Sequence, residues 1–481
     1  ERTKRKYYCR GCSKEMFETH CSECKVDTKK SFKQSIDIKH YFYKALEKLG
    51  SRQYPDLIKG VRGLNSREQL PEHLAKGIIR AKHGIHVNKE GTVRYDMTEL
   101  PITHFKPKEV GTTIERLREL GYTTDISGKD LVDGDQVLEI KCQDVVLPAC
   151  KQAPELGADE ILFRVANFLD ETLVKLYKME PYYNLKKKSD LAGKLIVAMS
   201  PHTSAGIVCR IVGFAKVQGF YAHPLLHSIM RRDCDGDEAG CMLVLDTLLN
   251  FSRKFLPNTR GVTQDAPLVL TSKLIPSEVD DMVFDMDIAA SYPLELYEAA
   301  EEYKNPWDVK VELLGDNLGK EKQYEGMMFT HDTSDINAAV RVSNYKILPS
   351  MREKVLGQME IARKLRAVDT DDVARLIIER HFMRDIKGNL RKFSQQSFRC
   401  VKCNEIYRRP PMAGKCLSCS GKLVFTIAEG SVVKYLEPAM DLAEKYNLPA
   451  YLKQTLHLVK DRIDSVFGKD DEKQEGLNKW F

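Results

Sequence analysis

The sequence predicts an α+β, multidomain protein: a compact β-barrel bearing an acidic loop, a small zinc module on either side of it in the chain, and helices toward the C-terminal end. Three observations carry this. Eight of the 13 cysteines fall into two paired Cys-x-x-Cys sets, Cys9, Cys12, Cys21 and Cys24, then Cys400, Cys403, Cys416 and Cys419. Apolar runs at residues 195–199 and 207–214, joined by Ser200-Pro201-His202-Thr203-Ser204-Ala205-Gly206, lead into Arg231-Arg232-Asp233-Cys234-Asp235-Gly236-Asp237-Glu238. Beyond residue 350, apolar residues recur at helical spacing, as in Met351, Val355, Met359, Ala362 and Leu365, the mark of one buried helix face.

Length and composition bound the possibilities. A chain of 481 residues has room for roughly three domains, and 42% hydrophobic residues suffice for real cores. No apolar run approaches the ~18 residues of a membrane span, and no signal-peptide pattern opens the chain. It starts at Glu1 rather than Met, as expected of a part of something longer. Seventy-five basic against 69 acidic residues leave a net charge of +6, so nucleic-acid contact must come from local patches. Cysteines at metal spacing, rather than a disulfide framework, point to a reducing cytoplasm.

Residues 1–36 form the first zinc module. Four thiolates at this spacing make a closed tetrahedral Zn²⁺ site. A module too small for its own core depends on the metal, which contributes on the order of 10–16 kcal/mol in finger peptides. Residues 37–130 read as an α/β accessory region. It holds a helix ended by Gly50, a hairpin of residues 84–87 with 92–95 around Glu90-Gly91, and a helix over 113–120 stopped by Gly121. His104 reads as structural. Residues 131–257 form the barrel region: a strand-like stretch at 136–148, a helix over 160–177 with one buried face, the two apolar strands, and a helix over 242–257.

The acidic loop is the chemical centre of the chain. Alternate carboxylates repel and raise one another's pKa unless they share a cation. Mg²⁺ takes one or two carboxylates plus substrate phosphates. Asp235 and Asp237 lie two apart and point the same way in extended backbone, and Gly236 lets a phosphate or backbone come close. A calcium loop of the Asp-x-Asp-x-Asp-Gly type is excluded, since Glu238 stands at its sixth position and Val244 at its twelfth. Arg231 and Arg232 would neutralise incoming phosphates.

Residues 258–395 read as a mixed, helical region with a DNA-binding end. The string Thr330-His331-Asp332-Thr333-Ser334-Asp335-Ile336-Asn337 fits a metal loop or a capped turn equally well. From residue 384 to 409 the composition shifts: Arg384, Lys387, Arg391, Lys392, Arg399, Lys402, Arg408 and Arg409 face only Asp385 and Glu405. Phe393, Phe398 and Tyr407 interleave with them, a mixture suited to gripping phosphates by charge and bases by stacking. They frame a second zinc ribbon at 396–430. Helices follow at 431–467, then a charged tail at 468–481 ending in Gln474-x-x-Leu477-x-x-Trp480-Phe481. A Trp-Phe pair after a core-free linker suits a partner's groove, and this spacing is similar to peptides that dock on sliding clamps.

These residues converge on one family. The acidic loop followed by Leu249-Asn250-Phe251-Ser252-Arg253 resembles the large subunit of archaeal family D DNA polymerase. So do Tyr95-Asp96-Met97-Thr98-Glu99-Leu100-Pro101, the 200–206 loop, Phe329-Thr330-His331-Asp332-Thr333 and Tyr407-Arg408-Arg409-Pro410-Pro411. The resemblance runs over essentially the whole chain. It implies a two-barrel polymerase with double-psi β-barrels, related to multisubunit RNA polymerases and working in archaeal, nucleoid-associated DNA replication. Asp235 and Asp237 would be its metal-binding aspartates, joined as a catalytic and Mg²⁺-binding carboxylate by Asp233 at the position before them, with Lys141 as the candidate catalytic lysine. Two Mg²⁺ would serve nucleotidyl transfer from dNTP to a primer 3′-hydroxyl, besides two structural Zn²⁺. Arg231, Arg232, His202, Arg391, Lys392, Arg408 and Arg409 would bind the DNA primer-template or phosphate. The implied partners are a small exonuclease subunit, the N-terminal part of the large subunit on another chain, and the PCNA clamp, which would take Gln474, Leu477, Trp480 and Phe481. Asp233 stands where the family has Asn, and Ala239 where it has an acid. Two other classes stay open: an RNA polymerase-like two-barrel enzyme, and a zinc-braced DNA- and clamp-binding scaffold without chemistry.

Overall fold

Strong alternation and short apolar runs build one closed barrel at the heart of the chain. In the computed structural model its strands are β1 (Tyr95–Pro101), β2 (Asp144–Pro148), β3 (Leu195–Met199), β4 (Ala205–Ala215), β5 (Phe220–Ala222) and β6 (Glu238–Leu243). Around the ring the order is β4-β2-β5-β1-β6-β3 and back to β4. The pairs β1–β5 and β2–β4 are parallel; the other four are antiparallel. Exchanging β1, β2, β3 for β4, β5, β6 reproduces the same ring with the same strand directions. The connectivity therefore has an internal two-fold pattern, and closure leaves no barrel edge unpaired. The structure describes residues 7–29, 37–58, 72–88, 90–201, 203–251, 268–330, 334–338, 340–424 and 429–467.

The chain divides into two units, Glu1–Arg341 and Val342–Phe481. In the first, the helices Leu74–Lys82 and Ala158–Thr172 pack Ile79, Leu162, Phe168 and Leu169 against barrel residues such as Met97, Val145, Ile196 and Ile211. A second core, with Phe105, Leu117, Leu131 and Leu138, meets Val146 and Val212. Ile196 and Ala198 belong to the first cluster, while Val197 and Met199 pack with Met242 in a further small one, so all four are buried. In the second unit, Met351–Lys364, Met383–Gln395, Leu436–Lys445 and Ala450–Phe467 contribute Met359, Ile386, Leu390, Leu442 and Leu456 to a helical core. No helix among the described residues is long and apolar enough to cross a membrane.

Most sequence-predicted elements form within a residue or two. The first helix, Ile38–Leu49, ends on Gly50 in the left-handed region, and Thr113 caps Ile114–Glu119. Three expectations need correction. Among the described residues no ladder joins 84–87 to 92–95: the chain makes a turn there, with Asn88 accepting from Gly91, and the buried Asp246 takes the Val93 amide at 2.7 Å, leaving it unavailable to a hairpin. The 136–148 stretch is two strands, Leu138–Glu139 and β2, interrupted by a turn. The helix expected over 242–257 spans Val244–Asn250 in the described residues; Met242 and Leu243 finish β6, paired to Val197 and Ile196.

Each cysteine set gathers its four Sγ atoms within 4.8 Å of one another. In the first set, the Cys12 amide and burial work against each other on Cys9, leaving it at about 7, while burial pushes Cys24 up to about 12. In the second, the Tyr407 hydroxyl, 3.2 Å from Cys416 Sγ, lowers that thiol to about 6. Unequal thiols are what four clustered sulfurs show when like charges compete; a cation removes that competition. Both sets fit zinc.

Two buried histidines make the first unit acid-labile. Burial holds His104 at about 4 and His223 at about 3, the latter helped by His227 and His104. His223 accepts the Leu225 amide through Nδ1, and His104 stacks edge-on with Phe329. Both folded values lie below the unfolded 6.5, so the unfolded chain binds more protons between them. Their contribution is complete above about pH 6.5 and is lost as pH falls toward 4 and then 3, a few kcal/mol each in order of magnitude. Urea melts at pH 7.5, 6, 5 and 4 should show steadily falling midpoints; a midpoint unchanged from 7.5 to 5 would contradict this.

Candidate active site

The acidic loop leaves the helix Pro224–Ile229 and enters β6. Gly236 takes φ +126°, with nothing within 4 Å of where a Cβ would sit. Backbone conformation, not space, requires glycine there. The turn leaves Asp233 and Asp235 exposed and Asp237 half-buried. The Asp237 carbonyl accepts from the Glu99 amide at 3.0 Å, which carries the β1–β6 pairing into the loop and anchors its end. Ser200 Oγ donates to the Met230 carbonyl, tying the start of the turn to the end of β3.

The two arginines behave differently. Arg232 donates to Asp237 Oδ2 at 3.2 Å, so it already neutralises one loop carboxylate. Arg231 turns to Asp280 at 2.8 Å. Lys141 sits elsewhere. Its ammonium donates to the Gly121 carbonyl at 3.0 Å and lies over the Tyr122 ring, in a cavity of about 950 Å³ also lined by Asp144, Leu195 and Arg210. That cavity is at the Leu195 end of β3, whereas the acidic loop is tied to Ser200 just past its other end; five residue steps of extended chain separate the two by about 16 Å. The structure does not bring Lys141 to the aspartates. His202 and the clamp-type residues Gln474, Leu477, Trp480 and Phe481 lie outside the described residues, as do 331–333. Asn337 of that same string is structural, its side chain bonded to the Glu109 carbonyl and the Lys216 amide.

In the second unit, Arg384, Lys387, Arg391 and Lys392 lie exposed on Met383–Gln395, whose opposite face buries Met383, Ile386 and Leu390. Arg399, Lys402, Arg408 and Arg409 are exposed around the zinc ribbon. None of these eight pairs with a carboxylate among the described residues. The stacking expected of the interleaved aromatics is corrected: Phe398 is buried, Phe393 packs on Phe467 at 4.8 Å, and Tyr407 bonds Cys416. Those rings stabilise the module and are not free platforms.

Three groups of potential ligand atoms converge within 4.8 Å among the described residues: the two Cys sets, and Glu99, His227 and Cys234 directly under the loop. Asp233, Asp235 and Asp237 do not form such a group, as expected of mutually repelling carboxylates with no cation between them. Exposed carboxylates on a glycine turn nevertheless suit Mg²⁺, which needs only one or two of them plus phosphates. Glu99 and His227 were missed from sequence. The available signal was a glutamate in phase with Tyr95 and Met97, on the buried face of β1.

The chain is similar to known proteins over its whole length. A family model described as the catalytic domain of DNA polymerase II large subunit DP2 matches residues 50–354, and one described as the zinc finger domain of DNA polymerase-epsilon matches 394–453. DNA polymerase II large subunits of Archaeoglobus fulgidus and Methanococcoides burtonii are 48% and 46% identical to it over 480 residues, 99% of this chain and 41% of theirs. That of Pyrococcus furiosus is 47% identical over 456 residues, 94% of this chain and 35% of its own. The chain thus spans about two-fifths of the length of the relatives it matches. With the closed barrel, the loop and the match over more than half of its residues, the chain belongs to the DP2 catalytic-domain family of DNA polymerase II large subunits.

Proposed function

We propose that this chain carries the metal-binding carboxylates of an archaeal DNA-directed DNA polymerase, on a barrel of the double-psi type, and that it works with further polypeptide. The observation that carries this is the pair of exposed Asp235 and half-buried Asp237 on the glycine turn between the Pro224–Ile229 helix and β6, beside Arg232. The two-fold strand pattern, with its two parallel pairs, supports the double-psi reading. Held by Asp235 and Asp237, Mg²⁺ would activate the primer 3′-hydroxyl and stabilise the leaving pyrophosphate. The protein's own share is positioning and charge: the Glu99 amide holds the end of the loop, Gly236 permits the turn that presents the carboxylates, and Arg232 supplies a cation beside them. Asp233, two positions before Asp235, is a third exposed carboxylate available to the same cation.

The barrel takes the chemistry in this reading, its strand β1 lying ahead of the expected 131–257 region, and the basic helix and ribbon of the second unit hold the primer-template. Similarity to DNA polymerase II large subunits supports DNA as the polymer. The small exonuclease subunit, the remaining large-subunit polypeptide and the PCNA clamp belong to the same proposal, the last through residues 474–481. Primer extension on a DNA template, with dNTPs and then with rNTPs, tests it. The chain is assayed alone and with the polypeptide that copurifies with it. Extension confined to dNTPs supports the polymerase reading; extension with rNTPs favours an RNA polymerase-like enzyme. No extension in any combination, with DNA still bound, leaves a scaffold.

The basic surface yields a separate expectation. Replacing Arg391 and Lys392 with alanine should weaken binding to all DNA sequences alike and lower the salt slope by about 0.9 for each phosphate no longer neutralised. Fluorescence anisotropy at several salt concentrations reads it. An unchanged slope would mean that this helix face does not touch phosphate.

A further inference from the structure

We propose that Glu99, His227 and Cys234 form a third zinc site, which pins the acidic loop to the barrel from below. Glu99 and His227 are 0% and 1% exposed. Yet neither Glu99 carboxylate oxygen, nor His227 Nδ1, has a hydrogen-bond partner among the described residues. A buried carboxylate with nothing donating to it is costly. His227 Nε2 lies 3.2 Å from the Leu100 carbonyl, which can only accept, so Nε2 carries the hydrogen. Nδ1 is then left to offer its lone pair, and it faces Glu99 Oε1 at 3.3 Å, off line for a hydrogen bond. Two acceptors face one another with no donor between them.

A cation between them resolves this. Ligand atoms about 2.0–2.2 Å from a tetrahedral zinc lie about 3.3–3.6 Å apart, and the separation here is 3.3 Å. Cys234 Sγ completes a set within 4.8 Å. One carboxylate, one imidazole and one sulfur suit Zn²⁺ and not Mg²⁺, which selects oxygen. The imidazole N–H to a backbone carbonyl is the outer contact that orients metal-bound histidines. Three protein ligands leave a fourth position for solvent.

The consequence concerns the loop. Cys234 Sγ reaches in toward β1 while Asp233 and Asp235 on either side are exposed. A metal bound to that sulfur fixes the loop at its middle, as the Glu99 amide fixes it at Asp237. The two flanking carboxylates then face outward with less freedom to lose when substrate arrives. Only this consequence for activity rests on the polymerase reading. The metal site stands or falls by itself.

Metal content decides it. The purified chain, dialysed against a weak chelator, should hold three zinc ions by native mass spectrometry, and Cys234→Ala should hold two. After exchange with ¹¹³Cd, NMR should show two resonances of all-sulfur character and a third from a mixed-ligand site. Cys234→Ala should remove only the third, the other two reporting that the zinc modules remain folded. Glu99→Gln should act likewise; because that residue is buried, the exposed-loop variant carries the test. Two zinc ions and two resonances in the unaltered chain would overturn the proposal, leaving Glu99 and His227 bridged by a proton. So would a third ion that survives in Cys234→Ala. Neither result depends on primer extension, which fails or succeeds separately.

Discussion

Replacing Asp235 and Asp237 with alanine should reduce primer extension by at least about 10³-fold while leaving DNA affinity within about two-fold. Removing one preorganised charge-stabilising group from an active site costs about 10²–10³-fold, and here both metal-holding carboxylates go. DNA affinity is spared because it comes from cationic residues and phosphate neutralisation, which the variant does not touch. Asp235 is exposed and Asp237 half-buried, so the substitutions leave no cavity and the barrel should melt unchanged. Asp237→Ala also frees Arg232, whose guanidinium donates to it at 3.2 Å. That variant alone should bind triphosphate no worse, yet extend poorly. Asp233→Asn is the contrast: an exposed carboxylate outside the Asp235–Asp237 pair should cost less than about ten-fold. Extension assays on each variant beside the unaltered protein, both with the copurifying polypeptide, check the series. Full extension in the double variant would remove the loop from the chemistry.

Asp144→Ala should be the most damaging single change to the barrel. This buried carboxylate begins β2 and accepts from Arg210 Nε at 2.8 Å, Arg210 Nη2 at 2.6 Å and the Tyr122 hydroxyl at 2.6 Å. It therefore clamps β2 to β4, a parallel pair, and ties in the loop after the Ile114–Glu119 helix. Alanine leaves a partly buried guanidinium that cannot lose its charge, and a buried hydroxyl without its acceptor. Breaking a buried pair in this way costs about 3–5 kcal/mol, on the order of 10 °C in melting temperature for a unit this size. Asp144→Asn keeps an acceptor for one donor and should cost roughly half as much. Thermal melts followed by circular dichroism, with zinc content unchanged, measure it. A loss under about 1 kcal/mol would mean that Arg210 finds water at little cost.

Local features of the chain were readable because their causes are local. Cysteine spacing alone determines both zinc sets, since four thiolates in pairs three positions apart need no distant partner to converge. Leu195–Met199 and Met351–Lys364 follow from periodicity, and Gly50 and Thr113 mark helix ends because a left-handed turn and a capped amide need only one residue each. The acidic loop stood out for the same reason: adjacent carboxylates with glycine between them are costly wherever they lie. The errors came where a distant group intervened. Asp246 captures the Val93 amide across 153 residues and prevents a hairpin, and Tyr407 of the ribbon and Phe393 of the basic helix are claimed by Cys416 and Phe467.

What the sequence by itself determined is the inventory: two zinc modules, a barrel region, an acidic loop and a basic helix. The tertiary structure alone decided which residues meet. Ring closure pairs β1 with β6 and so sets Glu99 under a loop more than 130 positions away, with His227 and Cys234 beside it. It carries Lys141 to the other end of β3, into a cavity with Asp144 and Arg210. Periodicity reports which face of a strand is buried, but not which strands are neighbours. That is settled by the global burial of apolar surface and the pairing of every buried backbone group, to which residues far apart in the chain contribute together.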